Sequence, residues 1–240
     1  MADFNINHIT GKQGQQGTVL AGVTTVSSTG SMRIPSGPTE QRGGRGRGIF
    51  FGGDPADPGN MTLVEIATTG NGSDFGNLAN NLVNCKGCAS PTRGLIGGGG
   101  TPSVVSLIQG VTISSSGGVF NFGDLSLARN DTQCVANDVR GIICGGNTPA
   151  TTTAKQNLIE FVTIASAGDA SDFSDVSVPI QESSGASSPI RGIFVTGSPN
   201  SHDHLEALEF ATLGNGRRFG DLTTPRNHNC SASNCHGGLG

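Results

Sequence analysis

The chain has 240 residues, of which only 13% are charged, with a formal net charge of −4 and a pI near 5.7. That balance excludes the basic footprint by which most nucleic-acid-binding proteins hold phosphate. Gly is abundant at 39 residues, Trp and Tyr are absent, and no apolar run reaches the roughly 18 residues of a membrane-spanning helix. Such a composition favours turns and short strands over helices.

The chain opens with MADFNINHITGKQ, which lacks a charged region followed by an apolar stretch. No secretory signal is expected, and the chain is expected to be made in a cytoplasm. Residues 1–46 read as an extended assembly arm, because SMRIPSGPTEQRGGRGRG is polar and irregular. Arg42, Arg45 and Arg47 in RGGRGRG resemble an RNA-binding RGG segment, but without interleaved aromatics a polar linker or interface arm is the expected role.

From Arg47 the sequence repeats. An Arg-Gly-apolar-apolar unit opens at Arg47, Arg93, Arg140 and Arg191, in steps of 46, 47 and 51 residues. A second anchor reads FGNL from Phe75, FGDL from Phe122, FSDV from Phe173 and FGDL from Phe219. Gly70, Gly117 and Gly168 each precede the next such Arg by 23 residues. Self-similarity at this period marks a fold built from stacked supersecondary units.

Each unit reads as β. The opening strand is apolar on both faces (Ile49-Phe50, Leu95-Ile96, Ile142-Ile143, Ile193-Phe194), which predicts burial on both sides. It ends in Gly52-Gly53, Gly98-Gly99, Gly145-Gly146 or the degenerate Thr196-Gly197, as a turn or bulge requires. A second strand alternates, placing Val64/Ile66, Val111/Ile113, Val162/Ile164 and Leu208/Phe210 on one face. The Phe anchors are expected in the core. Strands and turns at this spacing match the blades of a propeller. A β-solenoid is the competing fold, although its rungs are usually shorter.

The chain ends on ASNCHGGL, Ala232 to Leu239, which lines up with ASPTRGLI from Ala89, so residues 230–240 are expected to form a closing strand. Near the other terminus VTTVSSTG, ending at Gly30, resembles FVTIASAG, but Gly30 lies only 17 residues before Arg47. A composite fifth blade made by the two termini therefore competes with the arm.

Candidate sites are few. Cys85-Lys-Gly-Cys88, with Cys230 and Cys235, has the spacing of a zinc site. Against it, Cys88, Cys134 and Cys230 fall at nearly equivalent positions, where the third unit has Gly185 or Ala186, so small buried side chains without metal are expected. His202-Asp203-His204, with His228 and His236 nearby, could bind a metal, but the pair occurs in one unit only and is expected to be solvated. Asp124, Asp175 and Asp221, with Asn77 in the first unit, recur once per unit and are expected to brace turns. No nucleophile elbow, metalloprotease motif or phosphate loop is present, so no enzyme, catalytic residue or cofactor is expected.

The Gly-Gly pair after a buried strand, the aromatic anchors and the following Arg129 and Arg226 resemble kelch repeats; Leu82 and Ile180 take the Arg place in the other units. The phrases ASPTRGLIGGG, NLIEFVTIASAGDASDF, FGDLTTPRN and GTVLAGVTTVSSTG resemble kelch-like repeat proteins of tailed bacteriophages, particularly cyanophages. The resemblance implies an all-β, kelch-like propeller of four repeats over residues 47–240. It also implies a non-enzymatic structural component of the virion: a tail, fibre or adaptor module. Its expected partners are other virion proteins, in multiple copies of a symmetric assembly, with no nucleic acid and no membrane. The alternative is a receptor- or glycan-binding module on the virion surface, which the lack of Trp and Tyr disfavours.

Overall fold

The computed structural model of the chain describes residues 25–26, 32–33, 46–53, 59–66, 68–100, 102–149, 154–195, 203–225 and 230–233. Two compact units are present, residues 1–36 and 37–240. In the first, β1 (Thr25–Val26) and β2 (Met32–Arg33) form an antiparallel pair. Most of residues 1–46 lie outside the described residues, as do Arg42 and Arg45, Thr196-Gly197, His202, Arg226, His228, Cys235 and His236. Of the expected closing strand only residues 230–233 are described, and they carry no strand assignment. No described residue is helical, and no helix long and apolar enough to cross a membrane occurs among them.

The second unit contains four antiparallel sheets, each contiguous in sequence. Sheet 1 has three strands: β3 (Arg47–Phe51), β4 (Asn60–Glu65) and β5 (Ser73–Asn77). Sheet 2 has four: β6 (Lys86–Ala89), β7 (Arg93–Gly97), β8 (Leu107–Thr112) and β9 (Phe120–Asp124). Sheet 3 comprises β10 (Gln133–Ala136), β11 (Arg140–Cys144), β12 (Gln156–Thr163) and β13 (Ser171–Ile180). Sheet 4 comprises β14 (Gly185–Ser187), β15 (Arg191–Val195), β16 (His204–Glu209) and β17 (Arg217–Asp221). Within each sheet the strands pair in their sequence order.

The Gly-Gly pairs close the opening strands as expected. Gly98 has φ +67° and Gly99 +92°, and the pairs at 52 and 145 match them. A Cβ on Gly98 would lie 2.2 Å from the Arg129 carbonyl oxygen, so this approach of two backbones is possible only without a side chain.

The outer hairpin of every sheet carries a β-bulge at the same step. Register shifts occur at Met61/Thr62, Ile108/Gln109, Ile159/Glu160 and Leu205/Glu206. In each case the residue passed over on the outer strand is an anchor Phe: 75, 122, 173 or 219. A bulge re-aims the side chain it carries. Three of these rings turn into the space between sheets, at no more than 3% exposed.

The core lies between sheets, not within one. One cluster joins Met61, Phe75 and Leu82 of the sheet 1 segment to Ile96 and Val111 of sheet 2. A second joins Leu95, Phe122 and Leu125 to Ile143, Val162 and Ile164 of sheet 3. The third joins Ile142, Phe173 and Ile180 to Phe194, Leu208 and Phe210 of sheet 4.

Two expectations fail at the ends of the series. Phe219 is 51% exposed, although its three counterparts are core residues. The opening strand of sheet 1 is not buried on both faces: Phe50 is 63% exposed where Ile96, Ile143 and Phe194 are buried, and Ile66 is exposed where Ile164 and Phe210 are buried. The cause is the same in both places. Phe219 points off the last sheet and Phe50 and Ile66 off the first, and no further described sheet packs on either side.

Candidate functional site

Among the described residues, the contact surface between consecutive sheets is the most elaborated polar and apolar arrangement. It draws on the same repeat positions from one junction to the next. First, an Arg from the opening strand reaches a carbonyl in the next sheet's turn: Arg47 Nη1 donates to Ile113 O at 2.9 Å, Arg93 Nη1 to Ile164 O at 2.9 Å, and Arg140 Nη1 to Phe210 O. Second, the carbonyl of the anchor Phe accepts from a glycine of the next sheet: Gly117 N to Phe75 O and Gly168 N to Phe122 O, both at 2.7 Å. Third, the bond two residues on repeats as Val119 N to Asn77 O, Ala170 N to Asp124 O and Gly216 N to Asp175 O.

The residue after the anchor Phe makes this approach possible. A Cβ on Gly76 would lie 2.4 Å from Gly117 O, and one on Gly123 2.2 Å from Gly168 O. In the third junction Ser174, with φ +159°, occupies the place and its hydroxyl bonds Asn215. This accounts for the recurring Phe-Gly dipeptide more completely than a preference for turns does.

A fourth feature escaped the sequence reading. Gln109, Glu160 and Glu206 stand eight residues before Gly117, Gly168 and Gly214, on β8, β12 and β16, and all are buried. Each caps a backbone N–H of the preceding sheet's segment: Ala79 N to Gln109 Oε1 at 2.7 Å, Ser126 N to Glu160 Oε1 at 2.9 Å, and Ser177 N to Glu206 Oε2 at 3.1 Å. Buried N–H groups need such partners. The signal was available as a polar residue recurring at one phase of the repeat.

Arg129 completes the second junction. It is fully buried, pairs with Glu160 and donates to Gly145 O at 2.8 Å and Leu158 O at 3.3 Å. Burial pushes the guanidinium below its ordinary value, and the Glu160 carboxylate opposes that shift. Leu82 and Ile180, buried like Arg129, sit at the matching places against Gly52 and Gly145.

Cys85 and Cys88 do not converge on one site. Cys85 packs in the cluster between sheets 1 and 2 and Cys88 in that between sheets 2 and 3. The register also corrects the supposed equivalence of Cys88 and Cys134. Cys88 lies opposite Leu95 as Val135 lies opposite Ile142 and Ala186 opposite Ile193, whereas Cys134 matches Gly87 and Gly185. Contact with the Cys88 thiol, and then burial, push the Cys134 thiol well above its ordinary value. Burial raises Cys85 to about 11. Cys230 is exposed.

Among the described residues, Asp203, His204 and Asp221 bring three ligand atoms within 4.8 Å of one another. His204 Nδ1 lies 2.7 Å from Asp221 Oδ1 and 3.3 Å from Asp203 Oδ1. Asp221 also receives both its oxygens' bonds from Arg218 Nη2, at 2.8 and 2.7 Å. The His204 and Arg218 bonds hold its carboxyl below the ordinary value. With Arg218 paired to Asp221, the group forms a surface ion network. Asp124 braces its hairpin by accepting from Ser106 Oγ at 3.0 Å.

A cavity of about 490 Å³ opens where β6, β10 and β14 approach, with Arg47 and Ser231 also on its wall. Its lining is mostly small and apolar, with one guanidinium and the thiols of Cys88 and Cys134. No carboxylate or imidazole faces it among the described residues. The chain matches no family model, and no curated protein matches it significantly in sequence.

Proposed function

We propose that the chain is a non-enzymatic structural component of a bacteriophage particle, a tail, fibre or adaptor module, whose four sheets are kelch-like propeller blades. It acts through protein–protein contacts. One observation carries the reading: buried Gln109, Arg129, Glu160 and Glu206 join sheet to sheet, while the same joining surfaces stay exposed at Phe50, Ile66 and Phe219. Exposed apolar patches on an ordered sheet face mark interaction surfaces. The resemblance of the repeat phrases to phage virion proteins supplies the assembly in which such contacts would be made.

The test is particle composition. Purified phage carrying this chain should contain it as a stoichiometric structural band, located by labelled antibody on negatively stained particles. Detection only in the lysed host fraction, with none in particles washed through a density gradient, would remove the reading.

A further inference from the structure

We infer that Cys88 and Cys134 are a redox-responsive thiol pair that closes to a disulfide, stapling sheet 2 to sheet 3 along their first strands, β6 and β10. The two residues come from different repeats and meet on one side of one junction. In sheet 2, Cys88 lies opposite Leu95. In sheet 3, Cys134 lies opposite Ile143, and Ala136 opposite Gly141. All of these except the glycine belong to the hydrophobic cluster between the two sheets, so both thiols face the same seam. A Cβ on Gly141 would lie 3.2 Å from Cys88 Sγ, so the Cys88 side chain already rests on the face of sheet 3 that carries Cys134.

The next junction shows how closely such strands approach. There Val135 holds the Cys88 place, Gly185 the Cys134 place and Gly192 that of Gly141. Cβ atoms on Gly185 and Gly192 would lie 2.5 and 2.9 Å from the two methyl carbons of Val135. One side chain at the Cys88 place therefore spans both positions on the facing sheet. One C–C bond of about 1.5 Å further on, the Val135 Cβ is within about 4 Å of the Gly185 position, a spacing that a disulfide bridges. Where the third junction sets a valine against a glycine, the second sets thiol against thiol. Both thiols also line the cavity of about 490 Å³, which gives a small oxidant a route to them.

The oxidant is a low-molecular-weight disulfide such as oxidised glutathione. The Cys88 thiolate attacks one of its sulfurs, and one small thiol leaves. The Cys134 thiolate then attacks the Cys88 sulfur of the mixed disulfide and expels the second small thiol. The protein gives up two electrons and two protons, and the small disulfide becomes two thiols. Contact with the Cys88 thiol, and then burial, hold Cys134 protonated; the first of these ends once Cys88 is in the mixed disulfide. On the structural role proposed above, closure accompanies passage from a reducing cytoplasm to an oxidising exterior. The pair itself is a property of the chain and stands without that role.

The test oxidises the purified full chain with millimolar oxidised glutathione at pH 8, traps the remaining thiols with N-ethylmaleimide, and digests with trypsin without reductant. Cleavage after Lys86, Arg93, Arg129 and Arg140 places Cys85, Cys88, Cys134 and Cys144 on four different peptides. The expected product joins residues 87–93 to residues 130–140, two hydrogens lighter than the separate peptides. In urea unfolding followed by far-UV circular dichroism, the equilibrium constant for unfolding should fall about a hundredfold on oxidation, as for a native disulfide. Cys88→Val, which installs the residue of the next junction, should abolish both effects; if that variant does not fold, the wild-type peptide map and urea curves decide. Absence of the crosslink while exposed Cys230 is glutathionylated overturns the inference. So does a crosslink that leaves the urea midpoint unmoved or lowers it, or an equal stabilisation by oxidation in Cys88→Val. None of these outcomes touches the particle-composition test of the structural role.

Discussion

Exchanging the buried Arg129–Glu160 pair for residues the chain uses one sheet earlier tests whether the junctions are interchangeable. Leu82 stands at the Arg129 position and Gln109 at the Glu160 position of the first junction. Arg129→Leu alone leaves the Glu160 carboxylate buried with Ser126 N–H as its remaining partner, and it strips Gly145 O of its donor. Removing one member of a buried ion pair costs about 3–5 kcal/mol. Glu160→Gln alone strands the guanidinium and should cost a similar amount. The double variant has no buried charge, and its residual cost is the unpaired carbonyl of Gly145, about 1–3 kcal/mol. The singles should therefore over-predict the double by at least about 2 kcal/mol, as expected for residues in direct contact. Without Trp or Tyr the chain offers no useful intrinsic fluorescence, so equilibrium urea unfolding by far-UV circular dichroism is the assay. A double variant as unstable as the two singles summed would refute the claim that the pair is a local substitution within a common junction.

Burial and backbone geometry set three more outcomes. Phe122→Ala should destabilise by about 3–5 kcal/mol, the usual cost of emptying an aromatic core site, while Phe219→Ala in dilute monomer should cost under about 1 kcal/mol; equal losses by urea titration would contradict their different exposures. Gly123→Ala forces a Cβ to 2.2 Å from Gly168 O and should cost more than about 2 kcal/mol, whereas Gly220→Ala, in open space, should change thermal stability by less than about 0.5 kcal/mol. Burial holds the Cys85 thiol protonated up to about 11 and the Cys144 thiol higher still, so both are unreactive thiols at pH 8. Iodoacetamide treatment and peptide mass mapping should show exposed Cys230 labelled first; labelling of Cys144 at the same rate in the folded protein would show its site to be open.

Much of this was legible in the sequence because the repeat fixes phase. The Arg-Gly and Phe-Gly anchors marked an opening strand and an outer strand in each unit, and the Gly-Gly pairs marked the end of the opening strand. The burial of Phe75, Phe122 and Phe173 came from the same alignment. Phe219 broke it for a reason no alignment within the chain contains: its burial requires a sheet packed beyond sheet 4. The function of the Gly after each Phe was also hidden. Its reason is a carbonyl from the next sheet, distant in sequence, resting where a Cβ would be. The Cys88–Cys134 comparison failed by one residue, and in a strand one residue exchanges one face for the other. The chemistry of Asp203, His204 and Asp221 came together only across a hairpin, which pairs His204 with Asp221.

Because each hydrophobic cluster draws on two successive sheets, the stabilising free energy of residues 47–225 is organised as a row of nearest-neighbour couplings. In such a system cooperativity decays with distance along the row, and opening begins where a unit has one neighbour instead of two. Sheets 2 and 3 should then exchange their amide hydrogens last and sheets 1 and 4 first, although the hydrogen-bonding pattern inside each sheet is nearly the same. The same logic bears on how such a chain changes by duplication. Gaining or losing one whole unit within the row alters the number of couplings by one and leaves every other interface as it was, so length can drift in evolution without the design of a new core.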